Sequence, residues 1–259
     1  TIISNTVSGL SGTIYGATPI QGKVAGAYSF NGFNNWIGVP DSPELIPRAG
    51  SFTIELWAKP VTGMILSKYR DAYGPNIGYY LIVDAPTNYF AVVFRSGDDP
   101  AYAVIVSTSV SQLFDGNWHH IVTTLDRSAN IIRLFIDGTE IQNASASNLG
   151  DIYWTGPLYI GRRLYPGSEL WYRGALDELA MYNRALTAVE IQQHYINGLN
   201  NQPYCQAAPP PSQACDNPPP GMLGYWRFEG NLNDALGNYP ATMGPSGGFT
   251  TGKIGQGLY

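Results

Sequence analysis

The stretch that decides the fold is Gly174-Ala175-Leu176-Asp177-Glu178-Leu179-Ala180-Met181-Tyr182-Asn183-Arg184-Ala185-Leu186-Thr187. Its middle part, Leu176–Tyr182, is predicted to form a β-strand. Thr187 then begins a capping box, because Glu190 follows three residues later and apolar residues continue at helical spacing. The sequence therefore predicts a strand followed by one short helix, which ends near Asn197 with Gly198 as its stop signal.

Strand patterns of the same kind recur upstream as far as Tyr28, each bounded by Gly, Pro, Asn or Asp. The predicted strands are Ala27–Phe30, Trp36–Val39, Phe52–Lys59, Met64–Lys68, Tyr79–Val83, Tyr89–Arg95, Ala103–Ser107, Trp118–Asp126, Ile131–Ile136, Leu158–Gly161 and Leu176–Tyr182. Asp137-Gly138 lies between two apolar runs, which is a strong hairpin signal. The sheets are therefore predicted to be antiparallel.

The composition supports an all-β class and excludes several partners. Only 13% of the 259 residues are charged, while Gly (30) and Pro (19) are plentiful, as many short strands and turns require. The net charge of −5 provides no basic stripe, so neither nucleic acid nor an acidic lipid surface is an expected partner. No apolar run approaches the roughly 20 residues of a transmembrane helix, so direct membrane insertion is not expected.

Two short stretches of the chain are similar. Gly22-Lys23-Val24-Ala25-Gly26-Ala27-Tyr28 resembles Gly252-Lys253-Ile254-Gly255-Gln256-Gly257-Leu258. The late copy follows an aromatic, strand-like run at 224–230, whereas no such run precedes the early copy. The sequence therefore predicts one module without its opening strand and the beginning of a second.

The two modules are joined by a proline-rich segment that holds both cysteines, Cys205 and Cys215. Two thiols without a nearby histidine make a poor zinc site, so a short-loop disulfide in an oxidising compartment is predicted. The predicted domains are a jelly-roll at 1–198, an extended linker at 199–221, and the opening segment of a second module at 222–259.

The motifs taken together resemble the laminin-G-like, concanavalin A-like jelly-roll family of extracellular proteins. The resemblance covers nearly all of residues 12 to 197. It rests on the order of the segments Phe30–Pro40, Phe52–Ala58, Asp115–Ile121, Leu134–Gly138, Leu158–Gly161 and Gly174–Thr187. It implies two stacked antiparallel sheets, often with bound calcium, used for glycan or protein recognition or as a spacer; it does not imply catalysis.

Calcium is the metal that the resemblance suggests. Asn34 and Asn35 stand where related domains often carry Asp, and Asp177 matches the acid of a late family motif. The carbonyl of Gly32 would add a further oxygen, as a hard cation prefers. The alternative is that Asn34-Asn35 is only a turn that tolerates left-handed backbone geometry.

Aromatic residues in two loops form a candidate glycan site, because exposed rings stack on sugars and arginines bind hydroxyl or carboxylate groups. The candidate residues are Tyr69, Arg70, Tyr73, Trp154, Arg163, Tyr165, Trp171 and Tyr172. Packing of these rings in the core or within loops is the competing interpretation.

Catalysis has weaker support. His119 and His120 are adjacent on a predicted strand, so their side chains point to opposite faces and cannot hold one metal together; a structural role is expected, with one ring under the sheet and one outward. No predicted core strand carries the alternating acids of jelly-roll glucanases. Glu55 and Asp177 are the acids that a glycoside hydrolase or lyase would have to use.

The missing opening strand raises a question of assembly, since exposed strand edges invite pairing. The run Tyr225, Trp226, Arg227, Phe228 and Glu229 resembles the first strand of such domains. It is predicted to complete the first module, either within the chain or as a strand donated to a neighbour. A cut from a longer tandem array is the alternative.

The sequence therefore predicts an all-β extracellular or cell-surface module for recognition or adhesion. Its expected partners are a glycan or neighbouring copies of the same protein, as in a surface array or filament. A glycoside hydrolase or lyase and a purely structural spacer are the alternatives.

Overall fold

A computed structural model describes residues 2–4, 10–70, 75–98, 102–107, 110–164, 169–204, 222–226, 249–251 and 256–258. The strands are β1 (Ile2–Ser4), β2 (Ser11–Tyr15), β3 (Thr18–Gln21), β4 (Gly26–Asn31), β5 (Trp36–Val39), β6 (Phe52–Arg70), β7 (Ile77–Asp84), β8 (Tyr89–Ser96), β9 (Tyr102–Ser107), β10 (His119–Asp126), β11 (Ile131–Ile136), β12 (Thr139–Ser145), β13 (Leu158–Ile160), β14 (Arg162–Arg163), β15 (Leu170–Trp171), β16 (Arg173–Tyr182), β17 (Met222–Trp226), β18 (Phe249–Thr251) and β19 (Gln256–Leu258). One α-helix, α1 (Ala188–Leu199), and two 3₁₀ turns, Pro43–Leu45 and Ser111–Phe114, complete the described elements.

Strand β6 is a single strand of 19 residues, where two separate strands were predicted. The sequence suggests a break because Pro60 and Gly63 lie in its middle. Pro60 nevertheless pairs with Gly174, and Gly63 (φ +98°) lies where a side chain would collide with the carbonyl of Trp171. The glycine therefore permits a close approach of two backbones, and the strand continues.

The long strand joins the two halves of one antiparallel sheet. Its first half lies between β10 and β16, and its second half lies between β13 and β7. The first half-sheet has the order β12-β11-β10-β6-β16, with β4 and β17 beyond β16. The second has the order β1-β2-β5-β13-β6-β7-β8-β9. The predicted antiparallel all-β sandwich is confirmed.

The main core lies between the two half-sheets. It includes Phe52, Ile54 and Leu56 from the first half of β6, and Leu66 and Leu81 from the second half-sheet, all of them buried. Alternate residues along β6 point away from this core. The two outer faces of the sandwich are thus determined by the same strand.

Helix α1 covers the outer face of the first half-sheet. The capping box predicted at its start is present, since Thr187 and Glu190 bond each other's backbone N–H groups. The predicted end was wrong, because the helix continues through Gly198 to Leu199. Gly198 lies against the indole of Trp57, and a Cβ atom there would come within 2.2 Å of it. This glycine serves close packing and not termination.

Strand β17 pairs antiparallel with the end of β16, from Leu179↔Trp226 to Tyr182↔Met222. It contains Tyr225 and Trp226 from the run proposed for strand completion, while Arg227, Phe228 and Glu229 lie outside the described residues. Cys205 and Cys215 also lie outside them, so the disulfide stays a prediction. Tyr204, in the segment predicted as a linker, is buried in the cluster beneath α1.

Gly198→Ala should destabilise the protein, although alanine is the better helix former. The added methyl group collides with Trp57, and overpacking of this kind costs about 1–3 kcal/mol, against a gain of about 1 kcal/mol in helix propensity. Urea unfolding measures the difference. Val189→Ala, at a helix position that is 80% exposed, should change stability by less than about 0.5 kcal/mol. A Gly198→Ala protein at least as stable as the wild type would contradict this packing.

Candidate functional site

The outer face of the second half-sheet carries a row of aromatic side chains. Tyr15 pairs with Trp36, and Tyr159 pairs with Gly38 on one side and Ser67 on the other. Directly opposed residues of an antiparallel pair share one face. Their sequence neighbours, among them Ile14, Ile37 and Ile160, belong to the core. The rings therefore lie on the side away from the core, and we call this surface the aromatic face: Tyr15, Trp36, Tyr69, Tyr80, Tyr159, Arg162 and Trp171.

Trp36 is held between a tyrosine and an arginine. The ring of Tyr15 stacks on it at 3.9 Å between centroids and 6° between planes, and the Arg162 guanidinium lies 4.2 Å from its centroid. Two groups at these distances cannot share one face of the indole, so they flank it. Arg162 is also 5.0 Å from the Tyr159 ring and 5.1 Å from the Trp171 ring. The guanidinium is thus fixed among three aromatic rings by cation–π contacts.

The local sequence explains how these side chains reach their positions. Gly38 lies beneath the Trp36 ring, where a Cβ atom would come within 2.7 Å of it. Gly63 admits the backbone of Trp171, and Trp171 pairs with Arg162 in the β14–β15 ladder. Two glycines on the sheet therefore leave the space in which the rings pack.

A second group of rings and cations continues the aromatic face along β6, β7 and β8. Tyr69 and Tyr80 meet edge to face at 5.0 Å, and the Arg163 guanidinium lies 5.7 and 5.6 Å from their ring centroids. Nη1 of Arg95 donates to the Tyr69 hydroxyl at 3.5 Å. Arg95 and Arg163 therefore lie beside these two rings, as Arg162 lies beside Trp36.

Part of this surface remains open to solvent. Tyr15 is 46% exposed, and Trp36, Tyr159, Arg162 and Trp171 are half-buried. Phe33, at the tip of the turn before Trp36, is 74% exposed. Rings that are fixed by their neighbours yet accessible are suited to bind a planar or ring-shaped ligand.

The structure separates the eight predicted glycan residues. Tyr69, Arg163 and Trp171 lie on the aromatic face. Arg70, the residue after Tyr69, stacks on Trp154, with 5.2 Å between its guanidinium carbon and the ring centroid. The proposal for Tyr172 was wrong, because this side chain is fully buried and contacts Phe30 in the core. Tyr73 and Tyr165 lie outside the described residues.

Sequence reasoning missed Tyr15, Trp36 and Tyr159 because it looked for binding residues in loops. A usable signal was present in Leu158-Tyr159-Ile160, where an aromatic residue lies between two aliphatic core residues on one strand. Such a ring must point away from the core. The same pattern applies to Tyr15 after Ile14.

The residues proposed for calcium lie in two places on the sheet. Asn31, Asn34 and Asn35 bond each other within their turn, and the side-chain oxygen of Asn31 accepts three backbone N–H groups. Gly32 lies in the same turn, next to Arg173. Asp177 is four residues after Arg173 on β16, and at the rise of a strand the two Cα atoms are roughly 13 Å apart. Asp177 therefore lies apart from the turn that holds Gly32, Asn34 and Asn35, and calcium binding stays a prediction.

Asp177 instead binds backbone N–H groups. It is fully buried, and its Oδ2 accepts from Lys23 N at 2.7 Å and Val24 N at 2.9 Å, while Oδ1 accepts from Glu178 N at 2.8 Å. Gly22 lies so close to Oδ2 that a Cβ atom would come within 2.4 Å. The carboxylate fixes the turn between β3 and β4 on the first half-sheet.

Glu55 is enclosed by two histidines beneath α1. His120 Nε2 lies 2.8 Å from Oε1, and His194 Nδ1 lies 3.0 Å from both carboxylate oxygens. Glu55 and His120 are fully buried and His194 is nearly so. The expectation that one ring of the pair His119-His120 points outward was wrong, since His119 is also buried, between Asp115 and Asp137.

Charge within this cluster shifts its pKa values in opposite directions. Burial alone would raise the pKa of Glu55, but the charge of His194 and hydrogen bonds from both histidines outweigh it and lower the pKa to about 2. Burial alone would lower the pKa of His194, but the charge and hydrogen bond of Glu55 raise it above its ordinary value of 6.5. Glu55 and His194 thus link α1 to the sheet.

Burial excludes the two acids that a glycosidase would have needed. Glu55 lies under a helix and Asp177 is saturated by backbone N–H groups, so neither can reach a glycosidic bond. General acid and base catalysis requires the group to contact the substrate. These residues serve the fold.

A laminin G family model, described as the concanavalin A-like lectin/glucanases superfamily, matches residues 31–192. The chain belongs to this superfamily. The match extends from the end of β4 into α1 and includes Trp36, Tyr159, Arg162 and Trp171. A sequence search of curated proteins found no match.

Several solved structures of clostridial toxins are similar to this superfamily member. The binding domain of paraclostridial mosquitocidal protein 1 has a TM-score of 0.56 and 16% identity, over 72% of this chain and 47% of that one. The receptor-binding domain of botulinum neurotoxin C/D mosaic serotype has a TM-score of 0.53 and 12% identity, over 76% and 50%. The binding domain of botulinum neurotoxin DC, in complex with rat synaptotagmin II, has a TM-score of 0.51 and 13% identity, over 76% and 51%. The chain thus spans about half of each toxin domain, and the likeness shows the fold.

No helix in the described part of the chain is long and apolar enough to cross a membrane.

Asp177→Ala should destabilise the protein by about 2–4 kcal/mol, because it leaves the buried N–H groups of Lys23 and Val24 without an acceptor. Thermal unfolding, with added calcium and with a chelator, measures the loss. We expect the same loss in both conditions, since Asp177 binds backbone and not metal. A loss seen only when calcium is present would instead make Asp177 a calcium ligand.

The stability contributed by the Glu55–His194 pair should depend on pH. Because the pKa of His194 is raised in the folded state, its contribution to the free energy of unfolding is fully present below about pH 6.5. That contribution is lost as the pH rises through the folded-state pKa of His194. The lowered pKa of Glu55 makes its contribution full above about pH 4.5, and that contribution falls toward pH 2. The difference in unfolding free energy between the wild type and His194→Asn should therefore be largest between about pH 4.5 and 6.5.

Urea unfolding from pH 3 to 9 checks this window. Val189→Ala, on the exposed side of the same helix, should give a difference that does not vary with pH. A His194→Asn difference that is equally flat across the range would show that the pair does not carry opposite charges in the folded protein.

Proposed function

We propose that this protein is a non-catalytic recognition module that binds a glycan on the aromatic face. The observation that carries the proposal is the row of Tyr15, Trp36 and Arg162, which is rigid, accessible and positively charged. Sugar rings present C–H groups that pack on aromatic faces, and fixed rings lose little conformational entropy on binding. The solvent-exposed face of Tyr15 is the proposed stacking position.

Arg162 suits an acidic or strongly hydrogen-bonding group on that glycan. Within the described residues, no carboxylate lies within salt-bridge distance of its guanidinium, which lies against three aromatic rings. A guanidinium that is fixed by ring contacts can bind a carboxylate or sulfate with two parallel hydrogen bonds. We therefore favour a glycan with an acidic group over a neutral one.

Membership of the superfamily and the toxin binding domains among the structural neighbours support a binding module, and laminin G-like domains are typically extracellular. One neighbour is named as a complex with a protein, rat synaptotagmin II. A protein is therefore the second candidate ligand for this chain. The third candidate role is that of a repeating unit in a surface array or filament, in which the module would also bind a glycan. Aromatic and arginine residues also dominate protein interfaces, so the experiment must separate these ligands.

Trp36→Ala should lower glycan affinity at least about tenfold, because it removes the indole ring that holds Tyr15 and Arg162 in position. A glycan array with neutral and acidic members identifies the ligand, and calorimetry measures the affinity of the wild type and the variant. The control is Tyr153→Ala, which removes a 51% exposed ring outside the aromatic face. This control should bind like the wild type.

Arg162→Gln should reduce binding of acidic glycans more than binding of neutral ones. Thermal unfolding confirms that each variant is folded. No binding on the array, or equal binding by the wild type and Trp36→Ala, would contradict the glycan proposal. A protein ligand bound through the same residues would then replace it.

A further inference from the structure

One lysine of the long strand β6 points into the sandwich. Lys68 pairs with Tyr79 on β7, and directly opposed residues of an antiparallel pair share one face. Tyr79 belongs to the main core, so the side chain of Lys68 lies on the inward face as well. Lys68 is only 1% exposed, whereas lysine is almost never fully buried unless it is paired. Its ammonium group therefore needs partners inside the protein.

The strand order brings an aspartate to this lysine. Strands β5 and β6 both pair antiparallel with β13, so they run in the same direction and end at the same edge of the sheet. Asp41 follows the end of β5, and Lys68 lies near the end of β6. Gly156 lies at this edge too, because it precedes the start of β13.

Lys68 has two oxygen partners at this edge. Its Nζ donates to Oδ1 of Asp41 at 2.5 Å and to the carbonyl oxygen of Gly156. The side chain of Lys68 is 2% exposed, and that of Asp41 is 31% exposed. The amine is thus shielded from water, while the carboxyl group keeps one side open to solvent.

Burial works against the charged state of this pair. It lowers the pKa of Lys68, although the hydrogen bond and the charge of Asp41 act in the opposite direction. The desolvation of two buried charges offsets much of their attraction. An amide bond between the same two groups carries no charge and therefore avoids this cost.

We propose that Lys68 and Asp41 condense to an intramolecular amide bond with the loss of one water molecule. The nitrogen Nζ attacks Cγ of Asp41, so that the Nζ–Cγ bond forms and one Cγ–O bond breaks. Two of the three ammonium protons leave with that oxygen as water, and the step needs no co-reactant. The third proton remains on the new amide and keeps its hydrogen bond to Gly156.

The geometry favours this reaction in two ways. Two groups that the fold already holds in contact do not lose the entropy of an encounter when they react. The open side of Asp41 lets the released water leave the site. The product would join the chain covalently between residues 41 and 68, across the intervening strand β13.

Mass spectrometry of the denatured and reduced full chain tests the bond. We expect a mass that is lower than that of the sequence by one water molecule, and a proteolytic digest with a branched peptide that joins Asp41 to Lys68. In denaturant, an amine reagent should modify Lys59, on the same strand, and leave Lys68 unmodified. A folded wild type that keeps the full mass of its sequence, with Lys68 open to the reagent, would show a plain ion pair and overturn the proposal.

Two substitutions assign the loss of water to this pair. Asp41→Ala removes the carboxyl group, and Lys68→Arg keeps a cation that cannot condense, so each should show the full mass of its own sequence. Asp151→Ala is the matched control, because it removes the carboxylate that pairs with Arg48 at 3.1 Å on the surface. This control should keep the loss of one water. A loss that persists in Asp41→Ala or Lys68→Arg would contradict the assignment.

Discussion

The alternation of side chains along the long strand β6 is the constraint on which the rest of the structure depends. The strand belongs to both half-sheets, so one pattern of alternate residues fills the core and determines both outer faces. Glu55 and Trp57 point outward from its first half, where helix α1 covers them. Ser67 and Tyr69 point outward from its second half, where no helix of the described chain lies.

The two outer faces differ in what their polar groups do. Beneath α1, Glu55 is satisfied by two histidines and lies in a closed aromatic cluster, as a buried charge requires. On the aromatic face, Arg162 is fixed by rings and forms no salt bridge with a carboxylate of the described residues. The closed face is explained by stability alone. The open face exposes fixed aromatic rings beside a cation. Exposed apolar surface of this kind is typical of a binding surface.

The sequence allowed most of the fold to be predicted, because period-2 runs and a capping box are local signals. It did not reveal that β6 is continuous, since Pro60 and Gly63 normally interrupt strands and only the approach of the Trp171 backbone explains them. The candidate site was harder. Tyr15, Trp36 and Tyr159 come from three strands that are distant in sequence, so only the sheet order brings them together. Asp177 was assigned to calcium because its true partners, two N–H groups of a distant turn, carry no side-chain signal.

The most direct test of the central claim is a ¹H–¹⁵N spectrum of the tryptophan indoles during glycan titration. The chain has six tryptophans, so each indole can be assigned by substitution. The Nε1–H signals of Trp36 and Trp171 should shift as an acidic glycan is added, while that of Trp57 beneath α1 stays in place. Shifts confined to Trp57, or no shift at Trp36 under conditions where the glycan is bound, would contradict the assignment of the aromatic face as the binding surface.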